Sequence, residues 1–294
     1  MSKPILVAVA WPYANAEIHV GNISGAYLPA DIFARYHRLL GNQVLMVSGS
    51  DAHGTPITVR ADSESKSPEE IYSHYHEGFL KLFVDLGITY DLFTTTHSDN
   101  HFNVAQTVFN RLLENGFLYR EIEQQWYSSK SNRFLPDRYI EGTCYLCGYD
   151  EARGDQCDSC GHILDGKKLL QPRSKTGDKS LELRETEHYF IDLVKLSDQI
   201  SHYLSTDKSH WRANVLKPSL YTVDEIGLHG RAITRDLDWG IPVPLDGWDD
   251  KCLYVWFEAV IGYLSASIEW ASNNNEPFSW HQWWYNDDCL SYYF

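Results

Sequence analysis

Ile5-Leu6-Val7-Ala8-Val9-Ala10, followed by Trp11-Pro12-Tyr13-Ala14-Asn15-Ala16-Glu17-Ile18 and then His19-Val20-Gly21-Asn22, is the stretch on which the reading of this chain turns. Its first six residues are an unbroken apolar run of strand length. Such runs mark strands buried on both faces of a parallel sheet. Pro12 fixes the backbone just past the strand, and Gly21 removes a side chain where a helix begins. From Asn22 or Ser24 to Leu40 the pattern is helical, with Ile23, Tyr27, Ala30 and Ala34 on one stripe and Gly41 as the stop. Pro29, early in that helix, predicts a kink. Val44–Ser48 reads as the next strand and runs into Ser50-Asp51-Ala52-His53-Gly54. Polar side chains thus stand at the C-terminal ends of two strands, where open α/β sheets bind ligands.

Working outward, Ser67-Pro68-Glu69-Glu70 combines a capping box with proline at the first helical position and predicts a helix as far as Gly87. Another helix spans about Asn100 to Glu114. The order so far is that of half a doubly wound α/β sheet. Residues 117–228 have a different texture, with short strands, a cysteine cluster and one helix near 189–205, and read as an insertion. From 229 to 294 the α/β texture resumes, with a strand at Leu253–Val255, a helix at Phe257–Ala271 and a strand starting at Cys289. The expected division is therefore 1–116, 117–228 and 229–294. The chain stops inside an aromatic stretch, Tyr292-Tyr293-Phe294, which suggests a longer parent.

The 294 residues suffice for a full core, and the formal charge of −15 argues against binding nucleic acid by bulk electrostatics. A local run of Lys167, Lys168, Arg173, Lys175, Lys179 and Arg184 fits an RNA contact or a solvated loop. No apolar run approaches the roughly eighteen residues of a membrane span. Met1-Ser2-Lys3-Pro4 passes straight into the strand without a leader pattern, so a cytoplasmic location is expected.

Cys144-x-x-Cys147 and Cys157-x-x-Cys160 are two knuckles separated by nine residues, inside a segment of about 141–165. Four thiolates at this spacing suit a closed tetrahedral Zn²⁺ site, which is structural because no ligand position stays open. Cys252 and Cys289 match no pattern. His19 and Asn22, three apart, could share a face of the first helical turn and donate to a phosphate; a surface histidine in an ordinary turn is the alternative. Trp256, Ala259, Val260 and Tyr263 share a helical face that would serve as a pocket wall or as core.

Together these motifs resemble the class I aminoacyl-tRNA synthetases. His19-Val20-Gly21-Asn22 is similar to their first signature, His-Ile-Gly-His. Pro12-Tyr13-Ala14-Asn15 before it and Asp51-Ala52-His53-Gly54-Thr55-Pro56 after it look like the methionyl-tRNA synthetase family in particular. Asn22 stands where a second histidine is usual, Ala16 where a glycine is common, Trp11 for a leucine and Glu258 for an aspartate. The resemblance implies a Rossmann-like parallel sheet split by an inserted zinc-knuckle domain, and ATP-dependent activation of L-methionine with Mg²⁺ before transfer to tRNA(Met). It implies a methionine pocket of Ala10, Trp11, Tyr13, Asp51, Trp256, Ala259, Val260 and Tyr263, with Asp51 on the α-ammonium. A helix cap or a strand-end salt bridge is the alternative for Asp51. It assigns ATP to His19, Gly21 and Asn22, with Arg235 near the activated carboxyl, although Arg235-Asp236 could equally form a surface cluster. The second signature, Lys-Met-Ser-Lys-Ser, is not in the sequence, so this chain alone is expected to bind methionine, to adenylate weakly and to charge tRNA poorly. Another class I synthetase, or a zinc-knuckle RNA-binding module without catalysis, remains open at this point.

Overall fold

The structure is a computed structural model describing residues 3–294 apart from 137–138, 155, 163, 176–179 and 209. Lys179 of the basic run lies outside the described residues. The chain forms two compact units: Met1–Thr107 with Leu237–Val243 and Cys252–Phe294, and Val108–Asp236 with Pro244–Lys251.

In the first unit the opening apolar run is β1 (Pro4–Ala8), whose Ile5 to Ala8 are all buried. It is followed by α1 (Val20–Asn22), a π-helical turn at Ile23–Tyr27 and α2 (Leu28–Leu39). The irregularity expected at Pro29 is met by that π-helical turn, which leaves the proline in the first turn of α2, where its missing N–H costs little. β2 (Gln43–Ser50) pairs with β1 in parallel, placing Ile5 beside Val44 and Val7 beside Met46. α3 (Thr55–Glu64) was not expected, although Thr55-Pro56 at its start is a fair signal. α4 (Pro68–Leu86) has the expected capping box: Glu70 N donates to Ser67 Oγ at 3.1 Å and Ser67 N donates to Glu70 Oε2 at 2.7 Å. β3 (Leu92–Thr95) adds a parallel strand beyond β2, and α5 (Asp99–Glu114) follows.

The second unit corrects the reading of residues 117–228. β4 (Leu118–Ser128), β5 (Arg133–Phe134), β6 (Ile140–Thr143), β7 (Ala152–Arg153) and β8 (Leu170–Ser174) precede β9 (Leu181–Ile191), which pairs antiparallel with β4 from Leu118–Ile191 to Ser128–Leu181. These two strands are long, and 189–191 belongs to a strand, not to the expected helix. The charged residues between Glu182 and Glu187 mask the strand pattern. The helix is confined to α6 (Ser197–Ser205), and α7 (Ala213–Tyr221) is a second one that the sequence reading missed. With β10 (Arg231–Ala232), the larger sheet has the order β10-β9-β4-β5, and the smaller is β7-β6-β8. β11 (Thr234–Arg235) closes this part of the chain.

The first unit resumes with β12 (Cys252–Leu253), α8 (Val255–Asn273), α9 (His281–Trp284) and β13 (Leu290–Tyr293), which pairs in parallel with β1. Its sheet order is β13-β1-β2-β3. Alternation along β1 and β2 sends Ile5, Val7, Val9 and Met46 to one face, against Tyr27, Ala30, Ala34, Phe79 and Phe83. Leu6, Leu45 and Val47 face the other way, against Ala266 and Trp283. Helices on both faces of a parallel sheet make this the expected α/β architecture. Among the described residues no helix is long and apolar enough to cross a membrane.

Candidate active site and metal centre

The exits of β1 and β2 are tied side by side. Asp51 N donates to Pro12 O at 2.8 Å, and Ala14 N donates to Asp51 O at 2.9 Å. Ala10 is held on both sides, donating its N–H to Phe294 O at 2.9 Å and accepting from Ser48 Oγ at 3.3 Å. The Trp11 indole lies against two glycines. A Cβ on Gly49 would stand 2.5 Å from the ring, and one on Gly262 would stand 2.9 Å from it. Trp11 meets Tyr263 edge-on at 6.3 Å, and Tyr13 meets Trp256 likewise at 6.2 Å. Residues expected to enclose a side chain therefore meet between the exit of β1 and α8. The helical stripe is not core: Trp256 is 59% and Val260 58% exposed, while Ala259 and Tyr263 are half-buried. Gly49→Ala should destabilise the fold by about 1–3 kcal/mol, because the new methyl also meets Thr94 O at 2.8 Å. Thermal unfolding checks this, and a wild-type melting curve would contradict the packing.

Asp51 is buried, and its Oδ1 accepts from His53 N at 3.3 Å. Among the described residues no salt-bridge partner meets it, so the strand-end ion pair is not what the chain builds. Burial, and then the neighbouring charge of Glu258, push its carboxyl well above the usual range against that backbone hydrogen bond. A carboxylate in this state gains most from an arriving cation.

His19 caps α1 instead of sitting on its face. Its Nδ1 accepts from Gly21 N at 3.0 Å and Asn22 N at 3.3 Å, while Asn22 Oδ1 accepts from His19 N at 3.2 Å. A Cβ at Gly21 would fall 2.9 Å from the imidazole and push the ring off its cap. With Nδ1 committed as an acceptor, the neutral ring carries its proton on Nε2; with Oδ1 committed, Asn22 keeps its amide N–H₂ for donation. The reciprocal cap therefore presents two exposed donors.

Arg235 belongs to the second unit, and its Nη1 donates to Ala232 O at 3.1 Å and Thr234 O at 2.7 Å. Asp236 does not form a surface cluster with it. The Asp236 carboxylate accepts from Thr186 Oγ1 at 3.0 Å, stands 3.1 Å from His188 Nε2 and pairs with Lys251. Burial opposes its charge, but the bonds from His188 and Lys251 hold the carboxyl below its usual value. The basic run is largely engaged as well: Arg173 donates to Asp150 O, Lys168 pairs with Asp165, and Arg184 lies over Tyr127.

Also in the second unit, the ligand atoms of Cys144, Cys147, Cys157 and Cys160 lie within 4.8 Å of one another. Sulfur–sulfur distances are 4.0 Å for Cys144–Cys160 and 3.6 Å for Cys147–Cys157. Tetrahedral Zn–S bonds of about 2.3 Å require about 3.8 Å, so the cluster fits a metal of this size. The two knuckles are alike: Gly148 N donates to Cys144 O and Gly161 N to Cys157 O, at glycines with φ of 78° and 72°. The N–H of Cys160 leads the influences that outweigh burial and bring the Cys157 thiol down to about 7. Four cysteines are thus positioned to bind a metal.

Sequence reasoning gave no role to three buried groups in the first unit. His53 Nδ1 and His101 Nε2 both reach Glu258, at 2.9 and 2.8 Å. A single acid inside the apolar run from Tyr254 to Tyr263, and histidines four apart at 97 and 101, were the available signals.

Comparison with known proteins agrees with the motifs. The family model described as tRNA synthetases class I (M) matches residues 5–294. A methionine–tRNA ligase of Roseiflexus sp. (strain RS-1) is 56% identical over all of this chain and 51% of its own length. That of Thermomicrobium roseum is 52% identical over all of this chain and 50% of its own. The chain thus spans about half the length of the curated relatives it matches. A crystal structure of the Mycobacterium tuberculosis methionyl-tRNA synthetase bound by methionyl-adenylate superposes with a TM-score of 0.70 at 23% identity, covering 95% of this chain and 50% of that one, a likeness of fold. Matched almost end to end by the family model and by relatives above half identity, the chain belongs to the class I tRNA synthetases of the methionine type.

Proposed function

We propose that this chain is the methionine-activating part of a methionine–tRNA ligase. The observation that carries the reading is a buried carboxylate without a cationic partner among the described residues, Asp51, beside an open aromatic wall in the same unit. Asp51 would hold the α-ammonium of L-methionine. Ala10, Trp11, Tyr13, Trp256, Ala259, Val260 and Tyr263 would enclose the thioether, for which sulfur–aromatic contacts contribute about 0.3–1.5 kcal/mol each. His19, Gly21 and Asn22 would bind the phosphates of ATP, and Arg235 would face the activated carboxyl.

In the reaction, a carboxylate oxygen of methionine attacks the α-phosphorus of ATP, and pyrophosphate leaves. A terminal hydroxyl of tRNA(Met) then attacks the acyl carbon, and AMP leaves. The chain's part is positioning and charge stabilisation. Mg²⁺ accompanying ATP would neutralise phosphate charge. Zn²⁺ in the four-cysteine site would be structural. The ranges 1–116, 117–228 and 229–294 remain the proposed division into first catalytic half, inserted domain and second catalytic half, and a cytoplasmic setting belongs to the same reading. Charging of tRNA is proposed for the full-length protein and not for these 294 residues alone.

An amino-acid panel in pyrophosphate exchange by the full-length protein tests this: methionine should be the substrate, and preference for isoleucine, valine, leucine or cysteine would move the assignment to another class I enzyme. RNA affinity that survived loss of Asp51 and Trp256 but vanished on zinc removal would favour the non-catalytic module. The raised Asp51 carboxyl also sets a pH dependence. Its neutral form persists to higher pH than an ordinary carboxyl near 4, and an ammonium needs the anion. Methionine affinity should therefore fall on acidification, starting above the usual carboxyl range, and Asp51→Asn should flatten the profile and weaken binding about 10–100-fold. Affinity independent of pH down to about 5 would refute the role of Asp51.

A further inference from the structure

The side of α8 that faces away from the pocket wall is polar, although it is buried. At about 100° per residue, Glu258, Gly262, Ser265 and Glu269 align on one side of the helix, and Trp256, Ala259, Val260 and Tyr263 lie towards the other. Glu258 and Ser265 are wholly buried. The polar groups of this line are bonded to three other elements. Glu258 meets His53, past the end of β2, and His101 on α5. Ser265 Oγ is 2.7 Å from His101 Nδ1, and Ser265 O accepts from Asn100 Nδ2 at 2.8 Å. Glu269 Oε2 accepts from Thr94 Oγ1 of β3 at 2.9 Å.

The protons follow from the partners. An ionised carboxylate only accepts, so His53 donates from Nδ1 and His101 from Nε2. With neutral rings, His53 Nε2 accepts from His97 Nδ1 at 3.0 Å, and His101 Nδ1 accepts from the Ser265 hydroxyl. Two donor chains, His97 to His53 and Ser265 to His101, converge on one carboxylate. Burial works against its charge, yet His53 and His101 hold the Glu258 carboxyl below its ordinary value.

Apolar packing tolerates small rotations of a helix, whereas bonds to three separate elements do not. A turn of about 20° displaces side-chain atoms at the helix surface by about 2 Å, enough to spoil a fitted pocket. We propose that Glu258 is a positioning residue: as the common acceptor of His53 and His101 it fixes the rotation of α8, and with it the wall of Trp256, Ala259, Val260 and Tyr263. What the wall holds rests on the methionine reading above; how the wall is held does not.

Two measurements on the 294-residue chain test this. Nitrogen-15 spectroscopy of the imidazoles should find His53 protonated at Nδ1 and His101 at Nε2. In Glu258→Gln the amide N–H₂ needs an acceptor, and His101 is the ring able to turn over, since Gly262 O, 3.1 Å from Ser265 Oγ, can take the serine proton. His101 should then carry its proton on Nδ1. Methionine binding, followed by tryptophan fluorescence, should weaken at least about tenfold in Glu258→Gln and return to within about threefold of wild type in Glu258→Asp, which restores an acceptor for both rings. Wild-type His53 without a proton on Nδ1 would overturn the proposal, as would a Gln variant that binds like wild type or an Asp variant no better than Gln. If the wild-type chain binds no methionine, the substrate reading fails, and the tautomers alone decide whether Glu258 anchors α8.

Discussion

His19→Ala should lower methionine-dependent pyrophosphate exchange by the full-length protein about 10²–10³-fold, the usual cost of removing one preorganised donor to a developing charge. The same substitution also removes the acceptor that caps α1, which by itself costs about 0.5–2 kcal/mol of stability. The two effects separate in His19→Asn. Asparagine is a good N-cap, so Gly21 and Asn22 keep a partner, but its remaining amide donor ends about 1 Å short of where Nε2 stood, enough to misplace it for the reaction. His19→Asn should therefore melt like wild type and still lose most of the exchange rate. An unchanged rate in His19→Ala would remove His19 from the reaction. A variant lost only through melting would reduce it to a cap.

The second large effect concerns the four cysteines. The purified protein should carry one Zn²⁺, and removing it should release the β7-β6-β8 sheet. Strands of two to five residues bury too little to stand alone, whereas structural zinc supplies an apparent 10–16 kcal/mol in small metal-bound domains. Hydrogen exchange should therefore rise sharply for amides between 140 and 174 on chelation, and Cys157→Ser should act in the same direction. Metal-free protein with undiminished protection there would show that the cysteines are not a structural site.

The parts of the fold legible in the sequence were those carried by short-range rules. The apolar run at 5–10, the cap at Ser67 and the stop at Gly41 each depend on residues within a turn or two, and each is found near its expected place. β9 was misread because its stability comes from pairing with β4, more than fifty residues earlier, while charged residues interrupt its first half. For the site, residue types and spacing gave the metal ligands and the helical stripe of Trp256, Ala259, Val260 and Tyr263, while the family resemblance supplied the proposed pocket. Spacing could not give direction: His19 turned out to accept through Nδ1 within its own turn, and Asp236 turned away from Arg235 to Lys251. Glu258 was noted only as standing in place of an aspartate, because nothing local reveals that residues 53 and 101 meet it.

The seat of Trp11 links three positions far apart in the chain. Residues 11, 49 and 262 share one volume, so each sets the size permitted at the other two. A methyl at 262 is costly until 11 shrinks, whereas one at 49 stays costly even then, because Thr94 O would lie 2.8 Å from it. Exchange at 11 and 262 is therefore coupled, while 49 is held to glycine by its own neighbouring strand as well.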